Sequence, residues 1–214
     1  MNRLMMAGRT APSGLAWADL TAKALFFVLT AAVLIDPGAS NLEGKAPELR
    51  VVAYPLLAVT VPVIWWVWWR HRAPFPWLVD LLVTLVCFTD LLGNRANLYD
   101  TVVWFDDWMH FANTGLLAAA LVLLTMDRET RRIRAVERAV AFAAPASIGW
   151  EIGEYFAFVH GSPERTVAYT DTLGDLALGT LGAATAAVLV HTLWRHGRLL
   201  WTDPLVTGAR ARPY

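Results

Sequence analysis

Residues 77–92, WLVDLLVTLVCFTDLL, decide the fold. A helix that crosses a hydrocarbon core of about 30 Å needs roughly 20 mostly apolar residues. This stretch is shorter than that, and Asp80 and Asp90 interrupt it. Counted as a span, it is the third of six. Left out, the chain has five spans and its ends lie on opposite sides of a membrane.

The flanking sequence settles the count. Five other apolar stretches come near the required length, at 15–35, 51–69, 108–125, 139–159 and 172–194. Basic residues cluster between them. With six spans, Arg3, Arg9, Arg70, Arg72, Arg128, Arg131, Arg132, Arg134, Arg138, Arg195, Arg198, Arg210 and Arg212 all fall on one side. Only Lys45, Arg50, Arg95 and Arg165 fall on the other. Cytoplasmic loops carry such an excess of Lys and Arg, so the bias predicts both termini inside. Without 77–92 the basic clusters scatter to both sides. The expected fold is therefore an all-α integral membrane protein, a bundle of six transmembrane helices. Residues 1–14 form a cytoplasmic arm, 15–196 the transmembrane domain and 197–214 a cytoplasmic tail.

Composition agrees. Of 214 residues, 57% are hydrophobic and 17% charged, and the mean hydropathy is +0.44. A soluble domain of this size needs a larger charged coat. The formal net charge is zero, so no global field points to nucleic acid, and the bilayer is the expected partner. The apolar run after Arg3 and Arg9 is long enough to span, unlike a cleavable signal. Cys87 reads as a small core residue. Trp65, Trp66, Trp68, Trp69, Trp77, Trp194 and Trp201 read as one interfacial belt, and Tyr99, Trp104 and Trp108 as the other. The connection holding Pro37, Gly38, Gly44 and Pro47 reads as an ordinary loop. The small residues Gly174, Gly179, Gly182, Ala183 and Ala186 predict a packing face.

Ionisable residues inside spans are expensive and mark functional sites. Here they concentrate in the last three helices, as Asp106, Asp107 and His110, then Glu151 and Glu154, then Asp171 and Asp175. Spacings of three and four put each set on one helix face, and Asn113 and Thr114 extend the His110 face. The six-span orientation places all of them in the outer half of the membrane. The expectation is one polar site within residues 106–182, open to the extracytoplasmic side. Several carboxylates and one imidazole cannot all be charged in a poorly solvated space. Either some hold protons or a cation sits among them. Asp106, His110, Glu151, Glu154, Asp171 and Asp175 form a candidate divalent-metal set. Oxygen ligands suit Mg, Ca or Mn, and the imidazole admits Fe or Zn. Two bland readings stand beside this one. Asp106, Asp107 and Asp171 sit where helix caps are expected, and Glu151 and Glu154 could belong to a buried hydrogen-bond network. Asp19 and Lys23, four apart, are expected to neutralise each other.

The order Asp106-x-x-x-His110, Glu151-x-x-Glu154, Asp171-Thr172-x-x-Asp175 and Gly182-Ala183 resembles the YjdF-type bacterial inner-membrane proteins, a family without an established activity. The likeness covers roughly residues 100–190. It implies a bacterial plasma-membrane location and a shared polar site. A more distant likeness is to VanZ-like proteins. Their pattern has Gln where this chain has Glu154 and Asn where it has Gly179.

Three functions fit the sequence. The first is a metal-dependent enzyme or binding protein acting on a lipid or lipid-linked envelope molecule, with Glu151, Glu154, His110 and Asp175 as ligands or acid–base groups. The second is a proton- or cation-coupled transporter, which needs polar groups continuing inward, where Asp80 is the clear candidate. The third is a structural protein whose polar cluster locks packing. Helices one to three read mainly as scaffold. Nothing in the sequence specifies an oligomeric state.

Overall fold

The computed structural model describes residues 13–199 and 201–202. Most of the expected arm and tail, with Arg3, Arg9, Arg210 and Arg212, lies outside the described residues. The described part is helical, with no strand. In a membrane this follows from elementary accounting, because a helix satisfies its backbone groups within the segment.

Seven helices follow in order: α1 (Ser13–Ile35), α2 (Pro47–Ile64), α3 (Trp77–Arg95), a single turn α4 (Leu98–Thr101), α5 (Phe105–Thr125), α6 (Arg132–Ala157) and α7 (Ala168–Arg195). A π-helical turn at Trp65–Trp69 extends α2. Pro55 and Pro62 lie inside α2, and such prolines each leave a carbonyl without its usual amide partner. Five helices are long and apolar enough to cross a membrane: α1, α2 with its π turn, α3, α5 and α7. The third stretch is a full helix of 19 residues, longer than its apolar run because Gly93, Asn94 and Arg95 continue it. The sixth long helix, α6, has 26 residues, but Pro145, Glu151, Glu154 and many small residues dilute its apolar character.

α1, α2 and α3 pack together, α5, α6 and α7 pack together, and α3 against α5 joins the halves. One core holds Phe26, Val33, Tyr54, Ala58, Cys87 and Leu91 in the first half. The other runs through Ala118, Val122, Ala139, Ala143, Ala183 and Ala187 and reaches Val79 and Val83. The outer skin is apolar, with Val28, Leu34, Ile35, Leu56, Phe156 and Leu189 exposed. In water such a surface would aggregate. Against lipid tails it is at home.

Glycine sets the closest helix crossing. A Cβ on Gly182 would lie 2.0 Å from the Phe111 carbonyl oxygen, and one on Gly115 would lie 3.1 Å from the Gly182 oxygen. α5 and α7 therefore meet backbone to backbone. Gly179 similarly admits Ser147 of α6 and Thr114 of α5. Gly174 has open space around it, so the packing face begins at Gly179, later than expected.

Other expectations need correction. The first connection is not an ordinary loop. Leu42 and Ser40 are buried, Asn41 donates to Asn97 and Asp100, and Arg95 donates to the Ala39 carbonyl. Trp194 is not an interfacial anchor but a core residue, and its indole N–H donates to Thr202. The aspartates do not cap: Trp104 and Val167 hold the N-cap positions of α5 and α7, without side-chain caps. Asp106 and Asp107 sit in the first turn of α5, where negative charge still suits the helix dipole.

Candidate functional site

The tight α5–α7 crossing brings the N-terminal halves of α5 and α7 together with the C-terminal half of α6. His110 sits at their centre. Its Nδ1 lies 3.6 Å from Glu151 Oε1. Its Nε2 lies 3.7 Å from Asp106 Oδ1 and 3.7 Å from Asp175 Oδ1. These separations exceed hydrogen-bond length. Two donors that each sit about 2.1 Å from one divalent ion lie at most about 4.2 Å apart, so the gaps are of the size an ion spans.

Among the described residues, two groups could each hold a metal, with ligand atoms within 4.8 Å of one another: Asp106, His110 and Asp175, and His110, Glu151 and Glu154. Glu151 is buried, and its Oε1 has no hydrogen-bond partner among the described residues. Its Oε2 accepts from the Thr172 hydroxyl at 3.0 Å. One turn earlier in α6, the buried Ser147 hydroxyl is also without a hydrogen-bond partner among the described residues. Asp171 lies outside both groups but lines the cavity in front of them. Asp107 is exposed and belongs to neither.

That cavity has a volume of about 420 Å³. One wall is acidic, formed by Asp106, Glu151, Glu154 and Asp171 with His110. The opposite wall comes from the first half of the chain and carries Lys45, Arg50, Tyr54, Asp90, Tyr99 and Asp100. Asn113 and Thr114 lie deeper, and Asn113 accepts from Thr89. Of the first three helices, α2 and α3 line this cavity.

The second wall is held by its own network. Arg50 Nε donates to Asp90 Oδ2 at 3.2 Å, and Tyr54 Oη donates to the same oxygen at 2.9 Å. Tyr99 Oη donates to Asp90 Oδ1 at 2.9 Å. Tyr99 is therefore a wall residue, not an interfacial anchor. Its burial, then the Asp90 carboxylate beside it, push the phenol well above its usual range. Arg50 also donates to the Lys45 carbonyl and lies over the Phe158 ring. Lys45 pairs with Asp100 at 2.8 Å. Hydrogen bonds from Lys45 and Asn41 hold the Asp100 carboxyl below the usual carboxylate range.

Sequence reasoning missed Arg50, Tyr54 and Tyr99 as wall residues, and left Thr172 in the quoted motif without a role. In the sequence Arg50 bears only on topology, and Tyr54 carries no motif. The signal that could have found them is Asp90, an acid near a helix end that needs a cation from another helix.

The chain belongs to the family of predicted membrane proteins DUF2238, whose model matches residues 20–196. No curated protein and no solved structure matches it.

Proposed function

We propose that this member of the DUF2238 family holds a divalent cation between His110, Glu151 and Glu154, and that the cation binds or acts on a lipid or lipid-linked molecule at the outer membrane face. One observation carries the reading: Glu151 Oε1 is buried without a hydrogen-bond donor, beside a histidine nitrogen and a second carboxylate. A buried carboxylate oxygen in that state is costly unless a cation compensates it.

A neutral imidazole ligates through one nitrogen and donates through the other. Glu151 and Glu154 line the cavity, whereas Asp175 is buried behind His110. A cation held by the two glutamates would therefore take the Nδ1 side, leaving Nε2 towards the buried Asp175 and towards Asp106 on the cavity wall. Metal-bound histidines are commonly oriented by a carboxylate, and the nearest carboxylate oxygens here stand 3.7 Å from Nε2. The ion would polarise a phosphoryl or carbonyl oxygen or activate a water. Apolar Phe158, Val159 and Val167 share the cavity lining, and Phe156 and Tyr169 are exposed near it, which suits a ligand with an acyl chain.

The same reading places six helices across the membrane with both ends cytoplasmic. The arginine distribution supports that orientation. α6 supports the count, because its 26 residues measure about 39 Å at 1.5 Å per residue, and it packs beside two helices apolar enough to cross. The likeness to YjdF-type proteins supports a bacterial plasma membrane. Glu154 and Gly179 depart from the VanZ-like pattern.

The test is elemental analysis of protein purified without chelator, beside Glu151→Ala, with thermal denaturation in added Mg²⁺, Ca²⁺, Mn²⁺ and Zn²⁺. Wild type should carry one ion per chain or gain stability from one of these cations, and the variant should do neither. Wild type with no bound ion and no stabilisation would sink the proposal.

A further inference from the structure

A second buried charged cluster lies at the opposite end of α1 and α3 from the cavity. At its centre is Lys23, whose ammonium has three protons to donate. All three are used: on the Ala58 carbonyl at 2.7 Å, Asp80 Oδ1 at 3.0 Å and Thr84 Oγ1 at 2.8 Å. The Ala58 carbonyl is open to it because Pro62, four residues on, has no N–H. The expected Asp19–Lys23 pair does not form. The ammonium goes across the helix interface to Asp80.

Asp19 is left fully buried, and neither carboxyl oxygen has a hydrogen-bond donor among the described residues. α1 packs on α2 and α3. The charged groups facing Asp19 are Lys23 from its own helix and Asp80 from α3, while α2 presents only the neutral Ala58 carbonyl. Asp80 is bonded to Lys23, one turn along α1 from Asp19, so its carboxyl faces the same α1–α3 interface as Asp19. Two buried carboxyls therefore share one fully committed ammonium. A second bare carboxylate there would be an uncompensated buried charge.

We propose that Asp19 and Asp80 form an intramembrane proton-binding site that holds one proton between two carboxyls. A proton taken from the aqueous phase bonds to the Asp19 carboxylate, and the resulting O–H donates to the Asp80 carboxylate. The Asp19–Lys23–Asp80 cluster then passes from a charge of −1 to zero. Asp19 lies six residues into α1, about 9 Å along it, and Asp80 three residues into α3, about 5 Å. Exchange therefore runs through the face where those helices begin. The buried face of α3 continues from Asp80 through Thr84 and Cys87 to Asp90 in the cavity wall.

Infrared difference spectroscopy of the purified full chain at neutral pH, in H₂O and D₂O, tests this. Wild type minus Asp19→Asn should show the C=O stretch of a protonated carboxyl, shifted by deuterium. The exposed control Asp100→Asn should leave that band in place. If Asp19→Asn fails to fold, Lys23→Met serves instead. It removes the balancing charge, so Asp80 also takes a proton and the band should grow about twofold. No band in wild type, or one unaffected by either substitution, overturns the proposal. So does a band that appears only when sodium and potassium are replaced by choline, since that marks a metal-cation site.

Discussion

Asp90 shows how a single residue governs one wall of the cavity. Its carboxylate receives Arg50, Tyr54 and Tyr99, and the Arg50 and Asp90 side chains are each only 9% exposed. Breaking a buried ion pair from one side costs about 3–5 kcal/mol, because the remaining charge is uncompensated. Arg50→Met should therefore lower the thermal midpoint in detergent steeply. Arg50→Met with Asp90→Asn should recover part of the loss, and equal losses would show that the pair is not the source. Asp100 works differently, at the exposed rim. Its folded carboxyl titrates below its unfolded value, so its pairing with Lys45 stabilises the fold above about pH 4. That contribution fades as pH falls through the lower folded value. The side chain is 47% exposed, and exposed pairs contribute at most about 1 kcal/mol. Asp100→Asn should lower the neutral-pH midpoint slightly and have no effect once wild-type Asp100 is itself protonated. A loss that persists under strongly acidic conditions would mean the charge is not what stabilises the rim. The sequence makes the acids visible at this scale, since a charge inside an apolar run stands out. Their partners are hidden. The i,i+4 rule pairs Asp19 with Lys23, yet Pro62 frees a carbonyl on another helix and Asp80 supplies the counter-charge, so Lys23 turns away.

Among the elements, α7 decides whether the site exists. Asp175 meets His110 because Gly182, two turns further along, lets the α7 backbone touch the α5 backbone. Gly182→Ala would put a methyl where the Phe111 carbonyl oxygen stands, and overpacking of this kind costs about 1–3 kcal/mol or more. The helices must separate, so the variant should lose thermal stability together with any response to divalent cations. Gly174→Ala is the matched control on the same helix. Its Cβ meets nothing within 4 Å, and alanine is the better helix former by up to about 1 kcal/mol. It should be neutral or slightly stabilising, and equal damage from both would refute the crossing. The glycines could be read in advance as a packing face, but the point where the face begins could not. That depends on helix rotation, which hydropathy does not encode. Rotation also explains the aromatics. Trp66 and Trp68 are exposed, whereas Trp194 faces the core, although all three lie near the end of an apolar run.

At the scale of the molecule, the outer placement of the site depends on α6 crossing the membrane. By composition it is the weakest of the long helices, because the glutamates that interest us are what lower its apolar character. The arginine count argues that it crosses, and so does its packing along α5 and α7. The alternative is a helix lying at one surface, which would put the connections before and after it on the same side. Those connections, at 126–131 and 158–167, provide the test. Cys87 is buried and is the only cysteine in the sequence, so a Cys87→Ala background allows single-cysteine labelling. Glu129→Cys should resist a membrane-impermeant maleimide in intact cells and react after permeabilisation. Thr166→Cys and Glu43→Cys should react in intact cells. If Glu129→Cys and Thr166→Cys behave alike, α6 does not cross. The acids of α6 could then not share the outer half of the bilayer with His110, and the proposed cation site would fall with the topology. If they differ in the expected sense, the cavity opens outward and the Asp19–Asp80 pair lies near the cytoplasmic face. The protein would then carry a cation site and a proton site on opposite sides of the membrane, joined by the buried face of α3.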